Sequence, residues 1–100
     1  YSPSNFRHII LNNYTHDSVG GQESNSDIID YSLLSKSNSY KSYFKISTKI
    51  EFKEIFSNFK QAPAPSMLEI IIKKGSRKDL GRPVSGPKDN KKAFMKFLGV

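Results

Sequence analysis

Residues 7–22, Arg-His-Ile-Ile-Leu-Asn-Asn-Tyr-Thr-His-Asp-Ser-Val-Gly-Gly-Gln, carry the pattern from which the rest of the chain can be read. The apolar run Ile9-Ile10-Leu11 stops at two asparagines and enters a polar turn holding amide oxygens, an imidazole, a carboxylate and a glycine pair. Consecutive apolar residues over so short a span suit a parallel strand buried on both faces. A strand over Arg7 to Asn12 delivers its last residues to the C-terminal edge, where open α/β sheets bind their ligands. The turn is rich in oxygen donors and has no phosphate-loop lysine, which points to a hard metal ion or a phosphorylated cofactor.

Outward from this stretch the chain alternates. Residues 13–25 read as loop. Ser26 can cap a helix over about Asp27 to Ser37, with Ile29 and Leu33 on one face. Tyr43 to Ser47 reads as a second strand. Thr48-Lys-Ile-Glu51 forms a capping box ahead of a helix whose Phe52, Ile55, Phe56 and Phe59 follow the i, i+3, i+4, i+7 spacing. Ala62-Pro-Ala-Pro65 ends that helix, and Met67 to Ile72 is a third strand, apolar throughout except for Glu69. After a glycine- and proline-punctuated loop over Lys74 to Gly86, Pro87 suits the first turn of a last helix over Lys88 to Leu98, with Ala93, Phe94, Phe97 and Leu98 facing inward. The order β-α-β-α-β-α predicts an α/β fold, a parallel sheet with flanking crossover helices. Parallel strands bring both polar loops to one sheet edge, so that Asn13 and the Arg77/Arg82 loop flank one cleft.

One hundred residues make one small domain or a piece of a larger one. The absence of cysteine excludes disulfides and thiolate metal sites. No apolar run approaches the roughly 20 residues that cross a bilayer, and Tyr-Ser-Pro-Ser-Asn-Phe lacks the basic start and apolar stretch of a signal peptide. A cytoplasmic location is therefore expected. A start without methionine suggests a fragment. The net charge of +7 resides entirely in residues 73–100, with nine Lys/Arg against Asp79 and Asp89. Such a segment suits an anionic partner or, more simply, a solvated surface. Lys88, Lys92 and Lys96, at i, i+4, i+8, read as the solvated face of the last helix.

Two stretches carry a resemblance. Asn12-Asn13 with His16-Asp-Ser-Val-Gly-Gly-Gln22, and Lys73-Lys-Gly-Ser-Arg-Lys-Asp-Leu-Gly-Arg-Pro83 before the final helix, resemble the C-terminal end of the phosphonopyruvate decarboxylases, a branch of the thiamine diphosphate-dependent 2-oxo acid decarboxylases. The likeness runs over nearly the whole chain. It implies that residues 1–100 are the last half of a thiamine diphosphate/Mg²⁺-binding domain, with the upstream half and the pyrimidine-binding domain lying elsewhere in the enzyme. It also implies a small anionic 2-oxo acid substrate and a homo-oligomer, and no membrane or nucleic acid as partner. In that family Gly-Asp-Gly opens the cofactor motif and Asn-Asn closes it. The carry-over makes Asn13 a metal ligand through its side-chain oxygen and Thr15 one through its main-chain carbonyl, while Asn12 holds the turn. This sequence has no Gly-Asp-Gly, and Tyr14-Thr15 stands where relatives tend to carry a small residue and glycine. A fragment without activity of its own is the expectation.

Around that metal site, His16 is the candidate to relay a proton or bond the substrate, since imidazole titrates near neutrality. Gln22 is a candidate cofactor contact. Asp17 and Ser18 read as fixing the loop through local bonds. Arg77 and Arg82 are candidates for the substrate phosphonate, which guanidinium forks hold through two oxygens. The competing reading makes them, with Lys78 and Asp79, a salt-bridge network. Three functional alternatives stand beside the decarboxylase: a sulfopyruvate decarboxylase subunit, a small basic nucleic-acid-binding module and a non-catalytic remnant. The phenylalanines weigh against the nucleic-acid reading, because they fall on helix core faces and not among exposed lysines.

Overall fold

The computed structural model describes residues 2–81 and 83–100. In chain order these form strand β1 (Arg7–Asn12), a two-residue ribbon of β2 (Thr15–His16) and β3 (Gln22–Glu23), and helix α1 (Tyr31–Ser37). Strand β4 (Ser42–Ile46), helix α2 (Phe52–Gln61), strand β5 (Ser66–Ile71) and helix α3 (Pro87–Leu98) follow. The three long strands form one parallel sheet in the order β1-β5-β4. The fold is α/β, as the alternating pattern predicts.

Strand order explains the placement of the helices. The chain moves two places across the sheet from β1 to β4 and returns one place to the central β5. Crossovers between parallel strands are right-handed, so a reversal of direction puts successive helices on opposite faces. Helix α2 covers one face, where Ile46, Phe59 and Leu68 are buried and Phe44, Ile55, Phe56 and Ile70 pack around them. Helix α1 lies on the other face, where Tyr31 and Ser32 share a hollow with Tyr43, Lys45 and Glu69.

Local signals set the helix starts. Glu51 accepts the Thr48 N–H at 2.9 Å and also bonds the Ser47 N–H, which is the return half of the expected capping box. Helix α1 begins later than Ser26 would place it. Ser24 caps a short 3₁₀ turn over Asn25–Asp27, and Asp30 caps the helix proper by accepting the Leu33 N–H at 2.9 Å. The stretch read as plain loop contains the β2/β3 ribbon. Its reversal is made by Gly20 and Gly21 at φ 119° and 75°, values that glycine adopts without steric cost.

Two expectations about burial are corrected. Helix α3 forms where expected, but its apolar residues do not face a core: Phe94, Phe97 and Leu98 are 62%, 83% and 55% exposed. Its limits come from its own ends, with Gly86 before Pro87 and Gly99 at φ 74° closing it, rather than from packing. Strand β1 is likewise not covered on both faces. Ile9 and Leu11 are exposed while His8, Ile10 and Asn12 turn inward. A helix about 10 Å wide spans roughly two strands spaced about 4.8 Å apart, and α2 spends that width on β4 and β5.

Candidate functional site

Since β1 and β5 are neighbours and parallel, the loops that follow them leave the sheet side by side. They are joined. Asp17 Oδ2 accepts the Gly75 N–H at 3.0 Å, and Lys74 Nζ meets Glu23 Oε1 at 3.2 Å. The polar turn and the start of the Lys73–Gly81 loop are thus one surface at the C-terminal edge, as the topology predicts.

The turn is built from two successive asparagine bonds. Asn12 Oδ1 accepts the Tyr14 N–H at 3.1 Å, and Asn13 Oδ1 accepts the Thr15 N–H at 3.1 Å. Each side-chain oxygen stands in for a backbone carbonyl and accepts the N–H two residues on, which bends the chain sharply. Tyr14 takes φ 60° within this bend, a left-handed conformation uncommon outside glycine and asparagine. Asn13 Nδ2 donates to Asp17 Oδ2 at 2.7 Å, so its amide orientation is fixed and Oδ1 points toward Thr15.

The Thr15 carbonyl faces outward. Ser24 N–H donates to Tyr14 O at 2.8 Å, and His16 lies opposite Gln22. Bonded and non-bonded pairs alternate along an antiparallel ladder, so Thr15, between them, turns its N–H and C=O to the outer edge of the ribbon. That is the edge on which its N–H meets Asn13 Oδ1. Two neutral oxygens, one side-chain and one main-chain, therefore share this edge. Both are hard donors of the kind Mg²⁺ takes. Among the described residues no group of three His, Asp or Glu side chains could hold a metal by itself.

Asp17 is the knot of the turn. Its carboxylate accepts from Thr15 Oγ1 at 2.9 Å, from Gly75 N–H and from Asn13 Nδ2. The bonds from Thr15 and then Gly75 hold its carboxyl below the usual carboxylate range. A carboxyl with a depressed folded-state pKa contributes stability above its unfolded pKa and loses it as pH falls through the folded one. The protection of the Gly75 amide, its exchange rate relative to the unstructured chain at the same pH, is therefore expected to persist at neutral pH and to be lost on acidification below the ordinary carboxylate range. Asp17→Ala, which has no acceptor at all, should remove that protection at every pH. A Gly75 amide whose protection is the same in both proteins would contradict the tie.

The other expected residues are placed less centrally. His16 and Gln22 face each other across the ribbon and are exposed, with the Gln22 side chain folded close over Gly20. Arg77 is exposed and its Nε pairs with Asp79 Oδ1 at 3.2 Å. Arg82 lies outside the described residues. The turn contributes no lining to a cleft farther along the same sheet edge. That cleft, about 650 Å³, opens at the ends of β4 and β5 among Phe52, Ile70, Lys49 and Lys73.

Beneath the turn lies a group that sequence reasoning registered only as an interruption. Glu69, on the central strand, is 2% exposed. Its carboxylate accepts from Asn12 Nδ2 at 2.8 Å and Tyr43 Oη at 2.7 Å, with Lys45 Nζ at 3.4 Å. Burial pushes its pKa up, but the bonds from Tyr43 and Asn12 and the Lys45 charge outweigh this and hold it low. Burial, and then the bond to Glu69, push the Tyr43 phenol well above its ordinary value. The available signal was the acidic residue itself, since a carboxylate in an apolar central strand has to be paired and hydrogen-bonded.

No protein-family model matches the chain, and no solved structure matches it. Two curated proteins do. A phosphonopyruvate decarboxylase of Streptomyces viridochromogenes is 26% identical over 98 residues, and one of Streptomyces hygroscopicus is 27% identical over 97. The likeness is to phosphonopyruvate decarboxylases. It covers 98% and 97% of this chain but only 25% and 24% of theirs, so the chain spans about a quarter of the length of these relatives. Among the described residues, no helix is long and apolar enough to cross a membrane.

Proposed function

We propose that residues 1–100 form the C-terminal portion of a thiamine diphosphate/Mg²⁺-binding domain in a cytoplasmic, oligomeric decarboxylase. Its reaction converts phosphonopyruvate to phosphonoacetaldehyde and CO₂. The observation that carries this reading is the bond from the Thr15 N–H to Asn13 Oδ1 just past the C-terminal end of β1, on the ribbon edge to which the strand pairing turns the Thr15 carbonyl. The similarity to the two Streptomyces decarboxylases gives that arrangement its chemical sense.

Asn13 and the Thr15 carbonyl would hold Mg²⁺ against the diphosphate. The oxygen-only donor set fits this ion, which takes few protein groups besides phosphates. Two neutral donors leave the charge of the ion to be met by a carboxylate from outside residues 1–100, which makes this piece inactive alone. When bound, thiamine diphosphate supplies the carbon nucleophile and electron sink that release CO₂ from a 2-oxo acid. The chain's own part is to orient: Asp17 fixes the Asn13 amide, and the His16/Gln22 pair presents an imidazole and an amide beside the metal edge for hydrogen bonds or proton transfer. Arg77 and Arg82 are assigned to the phosphonate.

Release of CO₂ by the intact protein, supplied with thiamine diphosphate and Mg²⁺, tests the reading. Phosphonopyruvate should be turned over in preference to sulfopyruvate, and chelation of Mg²⁺ should abolish turnover. Faster sulfopyruvate turnover would reassign the substrate. Inactivity toward both would remove the proposal.

A further inference from the structure

We infer that Glu69 is a positioning residue: by accepting the Asn12 amide from the neighbouring strand, it sets the polarity of the turn that carries Asn13 and Thr15. Nothing in the motif itself points to Glu69. It lies 57 residues from Asn12 in sequence and meets it only because β5 is the central strand.

Donor and acceptor chemistry gives Glu69 this role. An asparagine side chain has one donating and one accepting end, and an ionised carboxylate can only accept. Facing Glu69, Asn12 must present Nδ2 to the carboxylate. Its Oδ1 then points toward the backbone and takes the Tyr14 N–H at 3.1 Å. Both residues are buried, Asn12 at 4% exposure, so water is not at hand to replace either bond. The other face of the carboxylate is occupied by Tyr43 Oη and Lys45 Nζ, which keep it from rotating away. With Asn12 oriented, the bend begins at Tyr14, and Asn13 repeats the same bond one residue later. The chain of contacts runs from Tyr43 and Lys45 through Glu69 and Asn12 to Tyr14.

Glu69→Gln keeps the shape of the side chain but lets it offer either an oxygen or an NH₂ to Asn12. The Asn12 amide is then free to flip, and the Tyr14 N–H loses its acceptor. Asn12→Asp combined with Glu69→Gln rebuilds the pattern with the charge exchanged. The glutamine NH₂ donates to one aspartate oxygen, the other aspartate oxygen accepts the Tyr14 N–H, and the glutamine carbonyl accepts from Tyr43.

The experiment is amide hydrogen exchange, read by NMR, on the wild-type chain, Glu69→Gln and the double variant. Exchange at Tyr14 is expected to quicken at least tenfold in Glu69→Gln, beyond any change at Leu68 in the same sheet, and to slow again in the double variant. If Glu69→Gln does not fold, recovery of both fold and Tyr14 protection in the double variant supports the inference. Unchanged Tyr14 exchange in a folded Glu69→Gln, or no recovery in the double variant, overturns it. The purpose assigned to the turn rests on the function proposed above, and a second measurement keeps the two separate. Mg²⁺-dependent thiamine diphosphate binding by the intact protein should weaken at least tenfold in Glu69→Gln and return in the double variant. Absence of binding in the wild type counts against the function. Equal binding by wild type and Glu69→Gln counts against the positioning role.

Discussion

Asn13→Ala in the intact protein is expected to weaken Mg²⁺-dependent thiamine diphosphate binding by about two orders of magnitude and to reduce turnover with it. Loss of groups that merely support metal ligands costs about 10–100-fold, and a direct ligand should cost no less. The sheet should be untouched, because Asn13 is half-buried in the loop and its partners are Thr15 and Asp17, not the core. Titration of the cofactor at fixed Mg²⁺, followed calorimetrically, measures the effect. Lys92→Ala, on the exposed helix α3, serves as the control that should leave binding alone. Equal affinity of wild type and Asn13→Ala would remove Asn13 from the metal site and, with it, the main support for the decarboxylase.

The largest effect on stability is expected at Phe59. This residue is 2% exposed, meets Phe44 edge-on at 6.2 Å between ring centroids, and sits beneath the Arg7 guanidinium at 5.9 Å. It joins α2 to both β4 and β1. Truncating a buried phenylalanine to alanine costs about 3–5 kcal/mol, while small domains have only about 5–15 kcal/mol in total. Phe59→Ala should therefore remove between about a fifth and nearly all of that stability, seen as a large fall of the urea midpoint. Ile50→Ala, at a site 95% exposed, should move the midpoint by less than about 0.5 kcal/mol equivalent. Similar midpoints for the two variants would show that the α2 face is not the main core.

The sequence revealed the elements better than it revealed what covers them. Ile9-Ile10-Leu11 and Met67 to Ile72 announced parallel strands, and the Phe52, Ile55, Phe56, Phe59 spacing announced the helix that forms the core. Periodicity says which face of an element is apolar, but not whether a partner lies against it. The same kind of reasoning therefore succeeded for α2 and failed for α3, whose phenylalanines are equally well spaced and stand exposed. Ser26 lost to Asp30 as the cap of α1 because several polar residues in a row can each accept a backbone N–H, and only tertiary packing selects among them.

For the candidate site, the Asn12–Gln22 stretch was readable because its bonds are local: Asn12 to Tyr14, Asn13 to Thr15, Asn13 to Asp17. The link from Asp17 to Gly75 and that from Asn12 to Glu69 were not readable. Both depend on β5 lying next to β1, and strand order is not written in any short segment. That neighbouring placement brings the loop bearing Arg77 to the turn. It leaves Arg77 itself paired with Asp79.

The buried bond between Asn12 and Glu69 also bears on how β1 finds its alignment. A shift of one residue along a strand exchanges the two faces, and a hydrophobic pattern normally forbids it. Here the pattern is mute, because Ile9, Ile10 and Leu11 are consecutive and would offer an apolar residue to either face. Polar contacts at both ends of the strand remove the ambiguity. Arg7 Nη1 reaches Ser66 Oγ at 3.0 Å at the start, where the two residues are direct partners, and Asn12 reaches Glu69 at the finish. Slipped by one, β1 would bury its second asparagine in place of the first and carry the turn out of line with Gly75. The doublet Asn12-Asn13 is thus two different instructions: the first residue fastens the strand in place, and only then does the second stand where a metal ion could use it.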